Sequence, residues 1–146
     1  ALDQSDKNPV YKVQYAHARM CSIFAKAGLV PEKVTAHAAD LGLLTEDLER
    51  ELVKRLGEFP ATVKRAADQV SPHVLSDYLE QTAGSANSWY HAGNPTRSPE
   101  LAVLVEDEVL RAARLALARA VQIVLRNGLA IMGIDAPIRM VRRADQ

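Results

Sequence analysis

Cysteine is nearly missing from these 146 residues: Cys21 stands alone, so no internal disulfide can form and nothing else points to an oxidising compartment. No apolar run approaches the ~20 residues needed to cross a bilayer, and the opening ALDQSDKNPV lacks the basic-then-apolar pattern of a secretory signal. The cytosol is therefore the expected compartment. Also absent are HExxH, paired CxxC, a Gly-rich phosphate loop and GxSxG, the strong signatures of metal, nucleotide and acyl chemistry. Strand signals are few, because no stretch alternates for long and Ala and Leu outnumber β-branched residues in the periodic segments.

What remains is the profile of one globular domain, with 48% apolar and 25% charged residues. Net charge is zero, yet unevenly spread. Residues 1–110 carry eleven Lys and Arg against sixteen Asp and Glu, a net −5, whereas residues 111–146 carry seven Arg against two Asp, a net +5. Such asymmetry fits a surface facing a polyanion, and equally two helices with different solvated faces.

The punctuation is that of an all-α helical bundle. Asn8-Pro9 reads as an N-cap followed by proline at the first helical position, and Gly28 closes that helix. Val10, Val13, His17, Met20, Cys21 and Phe24 recur on its core-facing side. Between Leu29 and Leu44 only Pro31 and Gly42 give clear signals, and a short helix over 32–40 is expected. Thr45 is the expected cap of the next helix, with Leu48, Leu52, Leu56 and Phe59 as its buried stripe. After Pro60 a second short helix carries Val63, Ala66, Ala67 and Val70. Ser71-Pro72 opens a third, with Leu75, Leu79, Thr82, Ala86 and Trp89 on one side. Gly93, Asn94, Pro95 and Pro99 mark a loop. The last helix is expected from about Glu106 to a C-cap at Asn127-Gly128. Its core face holds Leu110, Ala113, Leu117, Ala120, Val121 and Val124. Arg111, Arg114, Arg119, Gln122 and Arg126 fall within an arc of roughly 140° on the other side, the position of solvated arginines that could also attract a polyanion.

Single residues offer little catalysis. The four histidines, at 17, 37, 73 and 91, lie in different elements, where hydrogen-bonded structural roles are usual. Cys21, on an apolar stripe, reads as a buried thiol, and Glu106, Asp107 and Glu108 as helix-opening carboxylates rather than metal ligands. No catalytic or metal residue is assigned. Tyr11, Tyr15 and Arg19, at i, i+4 and i+8 on the first helix, form a stripe that lies largely away from the apolar face. Two rings and a guanidinium in line suit a stacked base beside a phosphate, and would equally suit a packed aromatic edge with a snorkelling arginine.

Four segments together resemble the arginyl-tRNA synthetase family: NPVYKVQYAHARMCSI (8–23) with its QYAHAR, LGEFPATVKRAADQVSPHVLSDYLEQTAGSANSWYHAG (56–93), LRAARLALARAVQIVLRNGLAIMGIDAP (110–137), and the ending APIRM (136–140). The resemblance implies a single helical anticodon-binding domain over 1–146, part of a longer class I synthetase, with mobile tails at 1–7 and 141–146. The start at Ala1 rather than methionine fits an excised piece. Within such a parent, an ATP-dependent arginine–tRNA ligase, the catalytic core would bind ATP and arginine through HIGH-type and KMSK-type motifs. Neither motif is here, so the domain itself is expected to need no cofactor and to perform no aminoacylation. Its implied partners are tRNA(Arg) and the catalytic core of the same polypeptide, not DNA or a membrane.

By the same resemblance, Tyr15 and Tyr90 would pack against anticodon bases, Arg19 would meet backbone or base, and Met140 would supply apolar contact. Tyr11, Lys12 and Arg139 are secondary candidates. Trp89 is assigned to the core. Two departures stand out. Lys12 occupies a position where the family commonly has a second tyrosine, and the chain continues past Met140 through VRRADQ, so a free carboxylate at that methionine is not available. Other readings to be tested are a helical protein-interaction module, a related helical domain of a cysteinyl or glycyl synthetase, and a small autonomous enzyme.

Overall fold

The computed structural model describes residues 8–140, so the expectation of mobile tails at 1–7 and 141–146 lies outside the described residues. Within them five α-helices carry the fold and no strand occurs: α1 (Pro9–Ala27), α2 (Asp47–Gly57), α3 (Phe59–Asp68), α4 (Pro72–Ala92) and α5 (Glu108–Ile131).

The starts and stops of α1 follow from local chemistry. The Asn8 side-chain oxygen accepts from the Val10 N–H at 2.9 Å, Pro9 has no N–H to waste, and Gly28 at φ 68° supplies the left-handed turn that ends the helix. Pro72 opens α4 in the same way. The centre of the molecule is α4, which touches α1, α2, α3 and α5. Lys12 lies beside Gly84 and Arg19 bonds His91, so α1 and α4 run in the same direction. Leu79 lies against Gly128, while Trp89 and Arg114 share one partner, so α5 runs antiparallel to α4. Met20, Phe24, Leu52, Leu79, Val121, Leu125 and Leu129 are among the fully buried side chains.

Several expectations need correction. In place of a helix over 32–40 there are three isolated 3-10 turns, Pro31–Lys33, Ala36–Ala38 and Leu41–Leu43. Val34, Thr35 and Ala39 between them are extended, and the Asp40 carboxylate takes the Gly42 N–H, so local bonds replace a helical ladder. The cap of α2 is Glu46, not Thr45. Its N–H donates to the Glu49 side chain at 3.4 Å, the reciprocal half of a capping box. Leu48 is exposed whereas Glu49 is buried. In α3 the buried residue is Thr62, and Val70, expected on the apolar side, is 88% exposed at φ 48° just beyond the helix. Ala67 is exposed and Val10 only half-buried.

The largest correction concerns α5. It starts one to two residues later than expected, capped by Asp107, whose side chain accepts from Val109 and Leu110 N–H. It also runs straight through Gly128 and ends before Gly133, at φ 74°. Gly128 is a contact glycine rather than a C-cap: a Cβ there would sit 2.4 Å from Leu79 Cδ2. The missing Cβ leaves the space that the buried Leu79 side chain fills.

The arginine face of α5 is not uniformly solvated either. Arg114 is 3% exposed and its Nε lies 3.0 Å from Glu49 Oε2, the oxygen that also accepts from Trp89 Nε1. Its Nη1 donates to the carbonyls of Glu100 and Ala102. Arg111 donates to the carbonyls of Val105 and Glu106. Both arginines therefore hold the α4–α5 loop. Gln122 is buried too, donating to Cys21 Sγ at 3.0 Å. Cys21 is a buried thiol, as expected, and burial pushes its pKa up, partly opposed by the Gln122 bond.

Candidate nucleic-acid interface

Parallel packing of α1 on α4 brings residues 15 and 19 beside residues 87, 90 and 91. The Arg19 guanidinium carbon lies 4.6 Å from the Tyr15 ring centroid and 4.8 Å from that of Tyr90. Each such cation–π contact contributes about 0.5–2 kcal/mol, depending on how dry the site is. Hydrogen bonds fix the group further: Nη1 donates to Asn87 Oδ1 at 2.8 Å and lies 3.2 Å from His91 Nε2, and Nη2 donates to the Tyr15 hydroxyl at 3.2 Å. Among the described residues no carboxylate pairs with Arg19. Its charge is therefore held in place without being neutralised. The remaining N–H groups, at Nε and at Nη2, have no protein acceptor among the described residues.

Residues after α5 complete the site. Gly133 turns the chain, and 134–140 lie back along α1. Two residues of the QYAHAR stretch anchor this segment: Gln14 Nε2 donates to the Asp135 carbonyl at 2.9 Å, and His17 Nδ1 lies 3.1 Å from the Pro137 carbonyl. Burial lowers the His17 pKa below its usual 6.5, the bond to Pro137 opposing this and Arg126 and Arg119 adding to it. A neutral ring donating from Nδ1 is thus the form that holds the segment. The result is a cleft of about 200 Å³ lined by Tyr15, Arg19, Tyr90, Ile138, Arg139 and Met140.

All four principal candidates, and Arg139, thus line one cleft. Tyr11 and Lys12 do not. Tyr11 is 2% exposed, with its ring centroid 6.1 Å from that of Tyr15, and it acts as a wedge behind Tyr15 rather than as an outward face. Helical periodicity places Tyr11 away from the apolar stripe, yet it is buried. Lys12 lies along α4 beside Gly84, outside the cleft. Asn87 and His91 also carry Arg19, a role that sequence reasoning missed. A signal for Asn87 was present in the N-x-x-Y spacing to Tyr90, one helical turn that places its side chain on the same face.

No helix of the described residues is long and apolar enough to cross a membrane, and no cluster of three or more metal-ligating side chains occurs among them.

Comparison with known proteins identifies the family. The chain is 46% identical to the arginine–tRNA ligase of Bordetella avium and 44% identical to that of Bordetella petrii, in each case over 96% of this chain and 23% of the relative. It therefore spans about a quarter of the length of these relatives. The solved Thermus thermophilus arginyl-tRNA synthetase superposes with a TM-score of 0.70 at 38% identity, over 88% of this chain and 20% of that one. The DALR anticodon binding domain family matches residues 13–140, from the second turn of α1 to the last residue of the cleft, and the chain belongs to that family.

Proposed function

We propose that this domain reads the anticodon loop of arginine tRNA on behalf of an ATP-dependent arginine–tRNA ligase in the cytoplasm, whose catalytic core lies in the remainder of a longer polypeptide. The observation that carries the reading is Arg19: a guanidinium immobilised by two rings and three hydrogen bonds, uncompensated by any carboxylate among the described residues, at the edge of an open cleft. Loop bases can be unstacked and recognised by their Watson–Crick edges and faces. The Nε–H and Nη2–H of an arginine lie side by side and present two parallel donors. Cytosine offers two adjacent acceptors, O2 and N3, on its pairing edge, whereas uracil interrupts that pattern with an N3–H donor. A central cytosine, which the resemblance to the synthetases implies, fits this donor pair. Tyr90 and Tyr15 supply ring surface, Met140 an apolar side wall, and Arg139 a cation for the backbone. This chemistry needs no cofactor within the domain, and ATP would be bound by the core.

Binding of arginine-tRNA anticodon stem–loops that differ only at the central base tests the reading. The cytosine form is expected to bind tightest. Equal affinity for all four bases would reject it.

A further inference from the structure

On the opposite side of the 134–140 segment lies a second, larger pocket of about 570 Å³, within the usual range for ligand sites. Its walls include His17, Glu32, Arg119, Gln122, Arg126 and Ile138. Of the α5 arginines, Arg111 and Arg114 are occupied by loop carbonyls and Glu49, but Arg119 and Arg126 are not. Arg119 donates to Gln122, a neutral acceptor, and Arg126 is exposed. Neither has a carboxylate partner among the described residues, and Glu32 is the only acid among the described residues of the pocket wall. Their positive field already acts inward, opposing protonation of His17.

The two cavities share one wall residue, Ile138, which is 76% exposed. An apolar side chain thus crowns a ridge, with Arg19 and Arg139 on one flank and Arg119 and Arg126 on the other. A compact anion would use only one flank. A chain of regularly spaced phosphates joined to apolar bases would use both flanks and the crest.

We propose that the RNA strand whose base enters the Tyr15–Arg19–Tyr90 cleft crosses Ile138, and that Arg119 and Arg126 hold the phosphate of a nearby nucleotide in the second pocket. This deepens the anticodon reading and rests on it. Contacts of this type position the strand and carry no base preference, so the two cavities divide the work, one setting register and one reading a base.

The test uses the chain with an arginine-tRNA anticodon stem–loop and the double variant Arg119→Gln/Arg126→Gln. Affinity is expected to fall roughly tenfold near 0.1 M salt, and the dependence of log K on log salt to flatten by about 0.7, the value for one single-strand phosphate that is no longer neutralised. The ratio of cytosine to uracil binding should stay unchanged. Replacing loop phosphates one at a time by neutral methylphosphonates should reveal a position that weakens the wild-type chain but not the variant. Arg50→Gln/Arg65→Gln, two exposed arginines on α2 and α3, makes the same change in net charge and should leave the phosphate scan unaltered. Arg126→Gln alone, on an exposed side chain, covers the case in which the double variant misfolds. An unchanged affinity and salt slope, or a loss equal to that of the Arg50/Arg65 control with no position-specific phosphate, overturns the second pocket while leaving base reading intact. Failure of the wild-type chain to bind the stem–loop at all overturns both.

Discussion

Two arginines of this fold, Arg114 and Arg19, are both fixed by several hydrogen bonds, yet they do opposite things. Arg114 is 3% exposed, a carboxylate answers its charge at Nε, and two carbonyls take its Nη1–H groups. Arg19 is half-exposed, its described partners are neutral, and part of its fork points at no protein acceptor among the described residues. Placing a cation in the interior is costly unless charge and every donor are matched. A paired and buried charge is spent within the fold, so Arg114 holds helices together. Leaving charge and donors unmatched at a surface costs little, because water substitutes until a ligand arrives. Whether an arginine is structural or available is thus decided by what faces it.

The sharpest way to break the comparison is to unpair the buried member. Glu49→Ala should destabilise the fold by about 3–5 kcal/mol, because Arg114 would remain buried without a counter-charge and Trp89 Nε1 would lose its acceptor. Denaturant unfolding measures this, and a loss below ~1 kcal/mol would mean that the pair is not sealed as described. Removing carboxylate and guanidinium together in favour of apolar residues should cost much less.

The open member is expected to respond in binding rather than stability. Tyr90→Ala or Tyr15→Ala should weaken stem–loop binding by about 1–3 kcal/mol each if a base stacks on the ring, as read by titration calorimetry. The unfolding midpoint should move less than for Glu49→Ala, since both rings are only half-buried.

These two arginines also mark where sequence reading succeeded and where it failed. Helix starts at Asn8-Pro9 and Ser71-Pro72 were legible because capping is local, and so was the buried stripe from Leu75 to Trp89, because its 3.6-residue period is unbroken. Tyr15, Arg19, Tyr90, Arg139 and Met140 were brought together by family motifs and not by spacing alone, since nothing in a sequence says that α1 and α4 run parallel. Arg114 and Gln122 were placed on the solvated side of the last helix because charge and polarity predict exposure until a partner from another helix is known. Gly128 imitated a helix stop, since a contact glycine and a capping glycine share a letter and differ only in neighbours. Tyr11 was misplaced because the period of α1 records only which side faces the other helices' apolar stripe, and its burial falls outside that stripe.

A smaller effect concerns how the cleft is closed. The lowered pKa of His17 means that the unfolded chain takes up a proton before the folded one as pH falls below about 6.5. The stability linked to this residue is therefore fully present above that value and lost progressively as pH drops through the lowered folded value. Comparing wild type with His17→Gln between pH 7.5 and 5.5 by thermal unfolding should show a steeper acid loss for wild type. Parallel curves would mean that burial of the ring does not link its protonation to folding.

The most direct measurement is the cytosine-to-uracil preference of Arg19→Lys with central-base stem–loops. Lysine keeps the positive charge but not the planar pair of donors. Most of the salt-dependent affinity should survive while the preference disappears. A preference as large as that of the wild-type chain would show that some other group reads the base.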